Sequence, residues 1–372
     1  MTIDIHASSG NPSSTDALSG HEHPDGAAIP NTPPCYCAGT RILTPGGYVE
    51  VEKLSPGDTV VTVGDAGPEI CEIIWTGKRS VDLARHADRE KVMPVRISAG
   101  AVGAGLPLRD LRVSPDHALY LDRHLIEAKN LVNGVTIVRE PEARRVTYHH
   151  VELASHAIML AEGLPAETYL DTGNRMMFDG PGPIVLHPNF GGQTPTPDLA
   201  LQLRAQACAP LALEGDVVAA VRQRLLDRAL RFGYSATEEI DVMARADGHL
   251  LTVRADGTDF SVEVPAGARF VELISSAGVP AEVCADPRDR RRLGVAVARL
   301  ALLADGERIE IPLDGSEHGG LYDLESSAAG NFRWTNGLAT IALPGHPGAV
   351  LEISLLGQAK RWVEVEREAV AV

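Results

Sequence analysis

The stretch "NTPPCYCAGTRILTPGGYVEVEKLSPGDTVVTV", residues 31–63, marks a sharp change in the character of the chain. Residues 1–34 contain no Lys, Arg or aromatic residue and are rich in Ser, Gly, Pro, Asp and His. Such a segment cannot bury enough apolar surface to order itself. Beyond Cys35 and Cys37, apolar residues alternate with polar ones, which is typical of a β-strand. The sequence therefore predicts a disordered leader over 1–34 and an ordered domain that begins at Cys35.

Short alternating segments continue from Cys35 to about residue 180, and turn residues separate them. In chain order the segments are RILT, YVEVEKL, DTVVTV, ICEIIW, VMPVRI, LRVS, ALYL, VTIV, VTYHHVEL and AIMLA. Strands this short and this frequent indicate an all-β domain, which we place at 35–180.

The rest of the chain predicts a second domain that is also rich in strands. Residues 181–212 have the composition of a linker, and one helix follows, with Asp216 as its cap and Gly233 as its end. The apolar face of this helix consists of Val218, Val221, Leu225, Ala229 and Phe232. Asp-Gly or Asn-Gly pairs in LLTVRADGTDFSVEV, LALLADGERIEI and FRWTNGLATIAL predict three hairpins. We therefore expect a mostly β protein in which 213–372 hold the helix and a β-sandwich-like domain.

Composition limits the partners of the protein. A net charge of −16 argues against nucleic acid or an anionic membrane surface. No apolar run reaches the roughly 18 residues of a membrane span, and residues 1–26 lack the basic and apolar regions of a secretory signal. Five cysteines, an odd number, do not suggest a disulfide framework. We expect a reducing cytoplasm, with export by a route that needs no N-terminal signal left open.

Cys35 lies where a flexible leader meets a rigid strand, which suits chemistry on the preceding peptide bond. Its thiol can attack the carbonyl of Pro34 and convert the amide to a thioester. This exchange is uphill for an ordinary peptide. It therefore needs a polarised amide, a proton donor for the departing nitrogen and donors for the developing oxyanion.

Two downstream motifs supply these helper groups. In VSPDHALYL, Ser114 and His117 stand three residues apart across a turn, so both can converge on one amide. His117 can protonate the leaving nitrogen, and Ser114 can polarise or orient the bond. Further on, VTYHHVELASHAIMLAEG supplies the side chain best suited to proton transfer near neutral pH, at His149, His150 and His156.

In this order, the segments resemble the Hint family, the autoprocessing domain of hedgehog proteins and inteins. CYCAGTRI is similar to the family's first block, in which Gly-Thr follows the catalytic Cys four residues on, and that spacing selects Cys35 over Cys37. VEKLSPGDTVVT resembles the next block, Leu-x-x-Gly-Asp-x-Val. SPDHALYL resembles the Thr-x-x-His block, with Ser114 in place of Thr. YHHVELASHAIMLAEGLPAETYLDTGNR resembles the late block of bacterial Hint domains.

The resemblance covers about 35–180 and implies an all-β fold with a self-cleaving site. That site would consist of Cys35, Ser114, His117 and His150, without a cofactor or a metal ion. Its substrate would be the protein's own N-terminal segment. Water or a small external nucleophile would resolve the thioester.

Two departures from the family pattern shape the expected activity. Inteins end in His-Asn followed by Ser, Thr or Cys, and the sequence around Asn174 has no such ending, so we do not expect full splicing. Pro34 has no N–H and a stiff ring, which makes its carbonyl a poor acyl donor. Slow cleavage of the hedgehog type is therefore the expectation.

Other interpretations of the two N-terminal cysteines stay open. They could be small packed residues at the start of a strand. A metal site from Cys35, Cys37, His21 and His23 is a further alternative, although it lacks the usual Cys-x₂-Cys spacing.

The C-terminal domain offers a second hypothesis for the whole protein. In it the Hint fold is catalytically silent, and Trp334 and Trp362 form a platform on which sugars stack; tryptophans packed in a core are the simpler interpretation. A protein partner of this domain, or a structural role for the fusion, completes the alternatives. The arginine-rich run DPRDRRRL, residues 286–293, is typical of a solvated turn.

Overall fold

The computed structural model describes residues 34–64, 67–170, 175, 178, 206–345 and 348–363. The predicted leader, apart from Pro34, lies outside the described residues. The same holds for most of the predicted linker 181–212, for Asn174, and for His21 and His23 of the alternative metal site.

The described chain divides into two compact units. The N-terminal unit contains 34–237, 278–291 and 360–363, and the C-terminal unit contains 238–277 and 292–359. The polypeptide therefore passes from one unit to the other after residues 237, 277, 291 and 359. This division groups 213–237 with the N-terminal unit, whereas the sequence analysis assigned them to the C-terminal domain.

Among the described residues, 13 antiparallel strands form the sheet of the N-terminal unit. The strands are β1 (Tyr36–Cys37), β2 (Arg41–Thr44), β3 (Gly47–Glu50), β4 (Thr59–Gly64), β5 (Gly67–Asp82), β6 (Val95–Ile97), β7 (Leu111–Val113), β8 (Ala118–Leu121), β9 (His124–Glu127), β10 (Ile137–Arg139), β11 (Arg145–Leu153), β12 (Ile158–Ala161) and β13 (Leu164–Glu167). A 3₁₀ turn, Val51–Lys53, follows β3 and replaces the second half of the predicted strand YVEVEKL. The helices of this unit are α1 (Arg89–Val92), α2 (Ala128–Leu131), α3 (Asp216–Arg231) and α4 (Pro280–Val283).

The long strand β5 joins two parts of this sheet. Its first residues, from Gly67 to Glu72, pair with β4, and the remainder pairs with β11. The predicted segment ICEIIW is therefore the middle of a 16-residue strand rather than a short strand of its own. The prediction of an all-β domain opening at Cys35 is confirmed.

Helix α3 packs its apolar stripe into the core of the N-terminal unit. Val218, Val221 and Leu225 are buried among residues of the 13-stranded sheet. Burying a side chain of this size is worth about 1.5–3 kcal/mol, so α3 completes the core. Two details differ from the prediction: the N-cap is Gly215, so Asp216 is the first helical residue, and Phe232 is exposed.

The C-terminal unit curls into a nearly closed, barrel-like sandwich. Its 11-stranded sheet consists of β15 (Val242–Ala246), β16 (His249–Leu251), β17 (Val253–Asp256), β18 (Asp259–Val264), β19 (Phe270–Ser275), β20 (Val295–Ala304), β21 (Glu307–Ile311), β22 (Gly319–Leu321), β23 (Glu325–Ser327), β24 (Gly330–Ala342) and β25 (Ala349–Gln358). The remaining two strands, β14 (Ser235–Thr237) and β26 (Arg361–Val363), pair with each other in the N-terminal unit.

Two of the three predicted hairpins are confirmed, and the third is wrong. The turns between β17 and β18 and between β20 and β21 connect paired antiparallel strands. The Asn336-Gly337 pair instead lies inside the continuous strand β24. Before this point β24 pairs with β20, at Trp334, and after it β24 pairs with β19, starting at Leu338. Gly337, with φ of +100°, supplies the backbone conformation for this corner between partners.

Trp334 and Trp362 belong to different units. Trp334 is 9% exposed and packs edge-on against Phe332, so little of its ring is available for stacking. Trp362 donates its indole N–H to the carbonyl of Asn133 at 2.8 Å. No helix among the described residues is long and apolar enough to cross a membrane.

Candidate active site

The short strand β1 brings distant parts of the sequence together. Tyr36 pairs with Val113 of β7 on one side and with His149 of β11 on the other. Ser114 directly follows β7, and His150 directly follows His149, so both neighbours of β1 carry a predicted site residue to Cys35. Strand pairing alone therefore assembles residues that are 79 and 115 positions apart in sequence.

Cys35 and Ser114 are tied by two reciprocal hydrogen bonds. The backbone N–H of Cys35 donates to Oγ of Ser114 at 2.9 Å. The backbone N–H of Ser114 donates to the carbonyl of Cys35, also at 2.9 Å. The amide nitrogen of the Pro34–Cys35 bond thus contacts the Ser114 hydroxyl directly, as expected of a group that orients this amide.

His150 contacts the thiol of Cys35. Its Nε2 atom lies 2.8 Å from Sγ of Cys35. The imidazole is buried and packs edge-on against Phe178 and Tyr169, with ring centroids 4.3 and 4.8 Å away. Burial, and then the neighbouring His117, hold the pKa of His150 well below its usual range, so the imidazole is neutral and can accept a proton.

The thiol of Cys35 is protonated in this environment. Burial, followed by the nearby Cys37, raises the pKa of Cys35 well above its ordinary value. In the tautomer of His150 that carries its proton on Nδ1, the S–H of Cys35 donates to Nε2 across this 2.8 Å distance. The pair brings a thiol into direct contact with a group that can accept its proton.

His117 lies on the same turn as Ser114 but makes a different set of contacts. Its backbone N–H donates to the Ser114 carbonyl at 3.1 Å, and its ring packs edge-on against Tyr36 at a centroid distance of 4.2 Å. Neither ring nitrogen has a hydrogen-bond partner among the described residues. Burial, and then His156, lower the pKa of His117 to about 3, so it is neutral near pH 7. The amide of Cys35 donates to Ser114 and not to His117.

The other two histidines of the late block lie away from the thiol. Successive residues of a strand point to opposite faces, so His149 and His150 project from opposite faces of β11. His156 follows β11, where its Nδ1 accepts the backbone N–H of Cys208 at 3.1 Å. Its Nε2 lies 3.4 Å from Oε2 of Glu167.

Glu167 is a residue whose role the sequence analysis did not assign. Its Oε1 accepts the backbone N–H of Ala118 at 2.6 Å, next to His117. Its carbonyl accepts the hydroxyl of Tyr36 at 2.8 Å. Glu167 thereby holds Ala118, which follows His117 in the chain, and Tyr36, whose ring packs against His117. The quoted motif contains this glutamate, but nothing in its spacing indicates these contacts.

Cys37 is buried in the same apolar cluster as Cys35, and what distinguishes Cys35 is its 2.8 Å contact with Nε2 of His150. The cluster also contains Val81, Leu83 and Tyr148. Burial raises the pKa of Cys37 to about 12. Among the described residues, no group of three or more His, Cys, Asp or Glu side chains is arranged to hold a metal ion.

Comparison with known proteins finds similarity to inteins and to the Hint family. A bacterial intein-like domain from Clostridium thermocellum is 18% identical, covers 37% of this chain and 98% of its own, and gives a TM-score of 0.27. The gp41-1 intein, at 13% identity, covers 36% and 98% with a TM-score of 0.27, and a DnaB intein from Synechocystis sp. PCC 6803, at 8%, covers 37% and 99% with a TM-score of 0.27. A search of curated proteins found no match. The family model described as the Hint domain matches residues 34–173, the segment that holds all four predicted site residues. The chain thus carries a Hint-type domain over residues 34–173.

Proposed function

We propose that this protein cleaves its own chain between Pro34 and Cys35 through an N-to-S acyl shift. The observation that carries the proposal is the 2.8 Å contact between Sγ of Cys35 and Nε2 of His150. The sulfur of Cys35 is four bonds from the carbonyl carbon of Pro34, so attack closes a five-membered ring, and the imidazole in contact with the thiol can take its proton.

The acyl shift moves one proton from sulfur to nitrogen. The S–H proton of Cys35 passes to Nε2 of His150, and the sulfur forms a bond to the carbonyl carbon of Pro34. The C–N bond between Pro34 and Cys35 then breaks. The proton on His150 moves to the departing nitrogen, which becomes the free amine of Cys35. The product is a thioester between Pro34 and the sulfur of Cys35.

Ser114 and His117 assist at the amide in this proposal. Ser114 holds the N–H of Cys35 by its 2.9 Å hydrogen bond and so fixes the plane of the scissile amide. The ring nitrogens of His117 are buried and have no hydrogen-bond partner among the described residues. A polar group left in that state is costly, and catalytic hydrogen bonds are often completed only along the reaction path. His117 then hydrogen-bonds the departing amine as the amide distorts.

Water or an external nucleophile resolves the thioester in the second step. Hydrolysis breaks the C–S bond, returns the thiol to Cys35 and leaves a carboxylate on Pro34, which releases residues 1–34. An external thiol takes the acyl group in the same way. Because the sequence near Asn174 lacks the intein ending, no ligation of flanking segments is part of this proposal.

Mass spectrometry of purified protein incubated with dithiothreitol tests the proposal. The wild type is expected to yield a fragment that begins at Cys35, and Cys35→Ala to yield none. Cys37→Ala is the matched control, because it removes an equally buried thiol two residues away, whereas the thiol that lies 2.8 Å from His150 is that of Cys35. Equal amounts of fragment from the wild type and from Cys35→Ala would mean ordinary proteolysis of the leader and would refute the proposal.

A further inference from the structure

A cavity of about 190 Å³ lies in the N-terminal unit, apart from the Cys35 site. Its wall combines side chains near α2 and β10 with residues of helix α3 and of the segment 278–291. The charged residues that line it are Lys129, Arg139, Arg222, Arg290, Glu90 and Glu282. Four cations and two carboxylates give this cavity an excess of positive charge, in a chain whose net charge is −16.

Two of these cations are not paired directly with a carboxylate, although Glu90, Asp116 and Glu282 lie near enough to Arg139 to oppose the lowering of its pKa by burial. Among the described residues, neither Arg139 nor Arg290 forms an ion pair. Arg139 donates to the backbone carbonyl of Glu90 at 2.6 Å. The hydrogen bonds of Arg290 to surrounding oxygens measure 3.3–3.4 Å, which is long for a guanidinium. Lys129 differs, because it pairs with Asp116 and Glu127 at 2.5 and 2.8 Å.

Arg222 lines the cavity and is held in place by several hydrogen bonds. Its guanidinium is buried and donates to backbone carbonyls on two separate segments of the chain, those of Asn130, Val132, Ala281, Cys284 and Ala285. These bonds satisfy its N–H groups, and no carboxylate of the described residues forms an ion pair with it. Burial, and then the charge of Arg290, lower the pKa of Arg222 to about 10.

The arginines repel one another across the cavity. Burial, followed by Arg290, also lowers the pKa of Arg139. Glu282 faces Arg139 and Arg222, yet burial raises the pKa of its carboxyl. Glu90, Asp116 and Asp286 are the other carboxylates whose charges act on these two guanidinium groups. Folding brings like charges together here, and an anion between them would relieve the repulsion.

From this arrangement we infer that the cavity binds a small, doubly charged oxyanion, the phosphate group. Guanidinium groups match phosphate with paired, charge-assisted hydrogen bonds. The volume is below the 300–1,000 Å³ of sites that hold drug-sized ligands, so it suits a single phosphate group rather than a nucleotide. Arg139 and Arg290 contact the anion, and Arg222 supports it from below. The run of arginines at 286–293, which from sequence alone is typical of a solvated turn, thus contributes Arg290 to a binding site.

Isothermal titration calorimetry with sodium phosphate, against sodium chloride of equal ionic strength, tests this inference. Phosphate is expected to bind with measurable heat and to raise the melting temperature, whereas chloride does neither. Arg139→Gln and Arg290→Gln should each weaken binding by about tenfold or more, the effect of losing one charge-assisted hydrogen bond. Arg288→Gln is the matched control, because Arg288 lies on the same exposed run, pairs with Asp286 and does not line the cavity.

Two results would contradict the inference of a phosphate site. No heat with phosphate for the wild type, or equal affinity for the wild type, Arg139→Gln and Arg290→Gln, would overturn the inference. Thermal unfolding of each variant without phosphate verifies that the variants are folded. Titration with methyl phosphate then identifies the source, because a site for phosphate monoesters accepts the substituent and a site for inorganic phosphate rejects it. Since every measurement reads binding, the result is independent of cleavage at Cys35.

Discussion

Sγ of Cys35 lies 2.8 Å from Nε2 of His150, and both side chains are buried. The contact joins Cys35, which directly precedes β1, to the centre of β11. Because burial raises the pKa of the thiol and lowers that of the imidazole, both groups are neutral at pH 7. In the proposed acyl shift, the thiol would therefore become nucleophilic only as its proton passes to His150.

His150→Ala should slow cleavage by about 10²–10⁴-fold, the usual contribution of a general base. The adjacent His149→Ala is the control, because His149 points to the opposite face of β11 and should leave the rate within about twofold. The cleavage rate of His117→Ala should lie between the rates of these two variants or equal that of His150→Ala. The measurement is the rate of fragment formation at saturating dithiothreitol. A fully active His150→Ala would remove this histidine from the mechanism.

Ser114→Ala should both slow cleavage and lower stability. The substitution leaves the buried N–H of Cys35 without its side-chain acceptor, which costs about 1–3 kcal/mol. Urea unfolding measures the loss of stability, and fragment formation measures the rate under conditions where the variant is folded. Unchanged stability together with an unchanged rate would show that the hydroxyl does not hold the scissile amide.

Pro34→Gly should accelerate cleavage. Glycine removes the ring that restricts the acyl donor and leaves Cys35, Ser114 and His150 unaltered. The check is the initial rate of fragment formation in parallel with Pro34→Ala, which removes the ring but keeps a side chain. A rate below that of the wild type in both variants would mean that the proline ring strains the amide in a productive direction.

The cleavage rate should be nearly independent of pH between 6.5 and 9.0. The reactive pair is a protonated thiol and a neutral imidazole. The pKa of His150 lies well below 6.5, so acid does not protonate it in this window, and the pKa of Cys35 lies well above 9.0, so base does not ionise it. Rates at saturating dithiothreitol, where the thiol concentration no longer matters, test this. A steep fall on acidification through pH 7 would contradict it.

Stability should fall as the pH drops below 6.5. His117 is buried and neutral with a pKa of about 3, whereas in the unfolded chain its pKa is near 6.5. Below 6.5 the unfolded state binds more protons, so the stability present above 6.5 is lost as the pH falls towards 3. At pH 5 the loss attributable to His117 is about 2 kcal/mol. Urea unfolding of the wild type and of His117→Gln at pH 7 and pH 5 isolates the contribution of His117. The variant should lose less stability than the wild type between these pH values, because only His117 is missing. The opposing effect of His156 is the same in both proteins.

Local sequence predicted much of the site because strand pairing does the assembly. Once Cys35 opens a strand between β7 and β11, Ser114 and His150 follow from their places in those strands. The partner of the Cys35 amide could not be predicted in the same way. Ser114 and His117 occupy one turn, and which of them reaches the amide depends on side-chain directions that the spacing does not encode.

The errors in the fold have a common cause, which is that local signals do not specify tertiary partners. Asn336-Gly337 has the residues of a hairpin turn, but pairing on both sides of β24 keeps the strand continuous through a corner. The apolar stripe of α3 predicted a helix correctly, but it could not say which core would bury Val218 and Leu225. Neither the continuity of β24 nor the core that buries α3 can be inferred without knowing the strands that lie beside them.

The order in which the ribosome makes this chain gives a consequence to the shared segments of the N-terminal unit. Cys35 emerges first, but the unit that surrounds it also draws on helix α3, on residues 278–291 and on residues 360–363. Domains generally fold as units during synthesis, and here the unit is unfinished until its last segment has left the ribosome. In the proposed reaction, the leader would therefore stay attached until residues 360–363 have been synthesised.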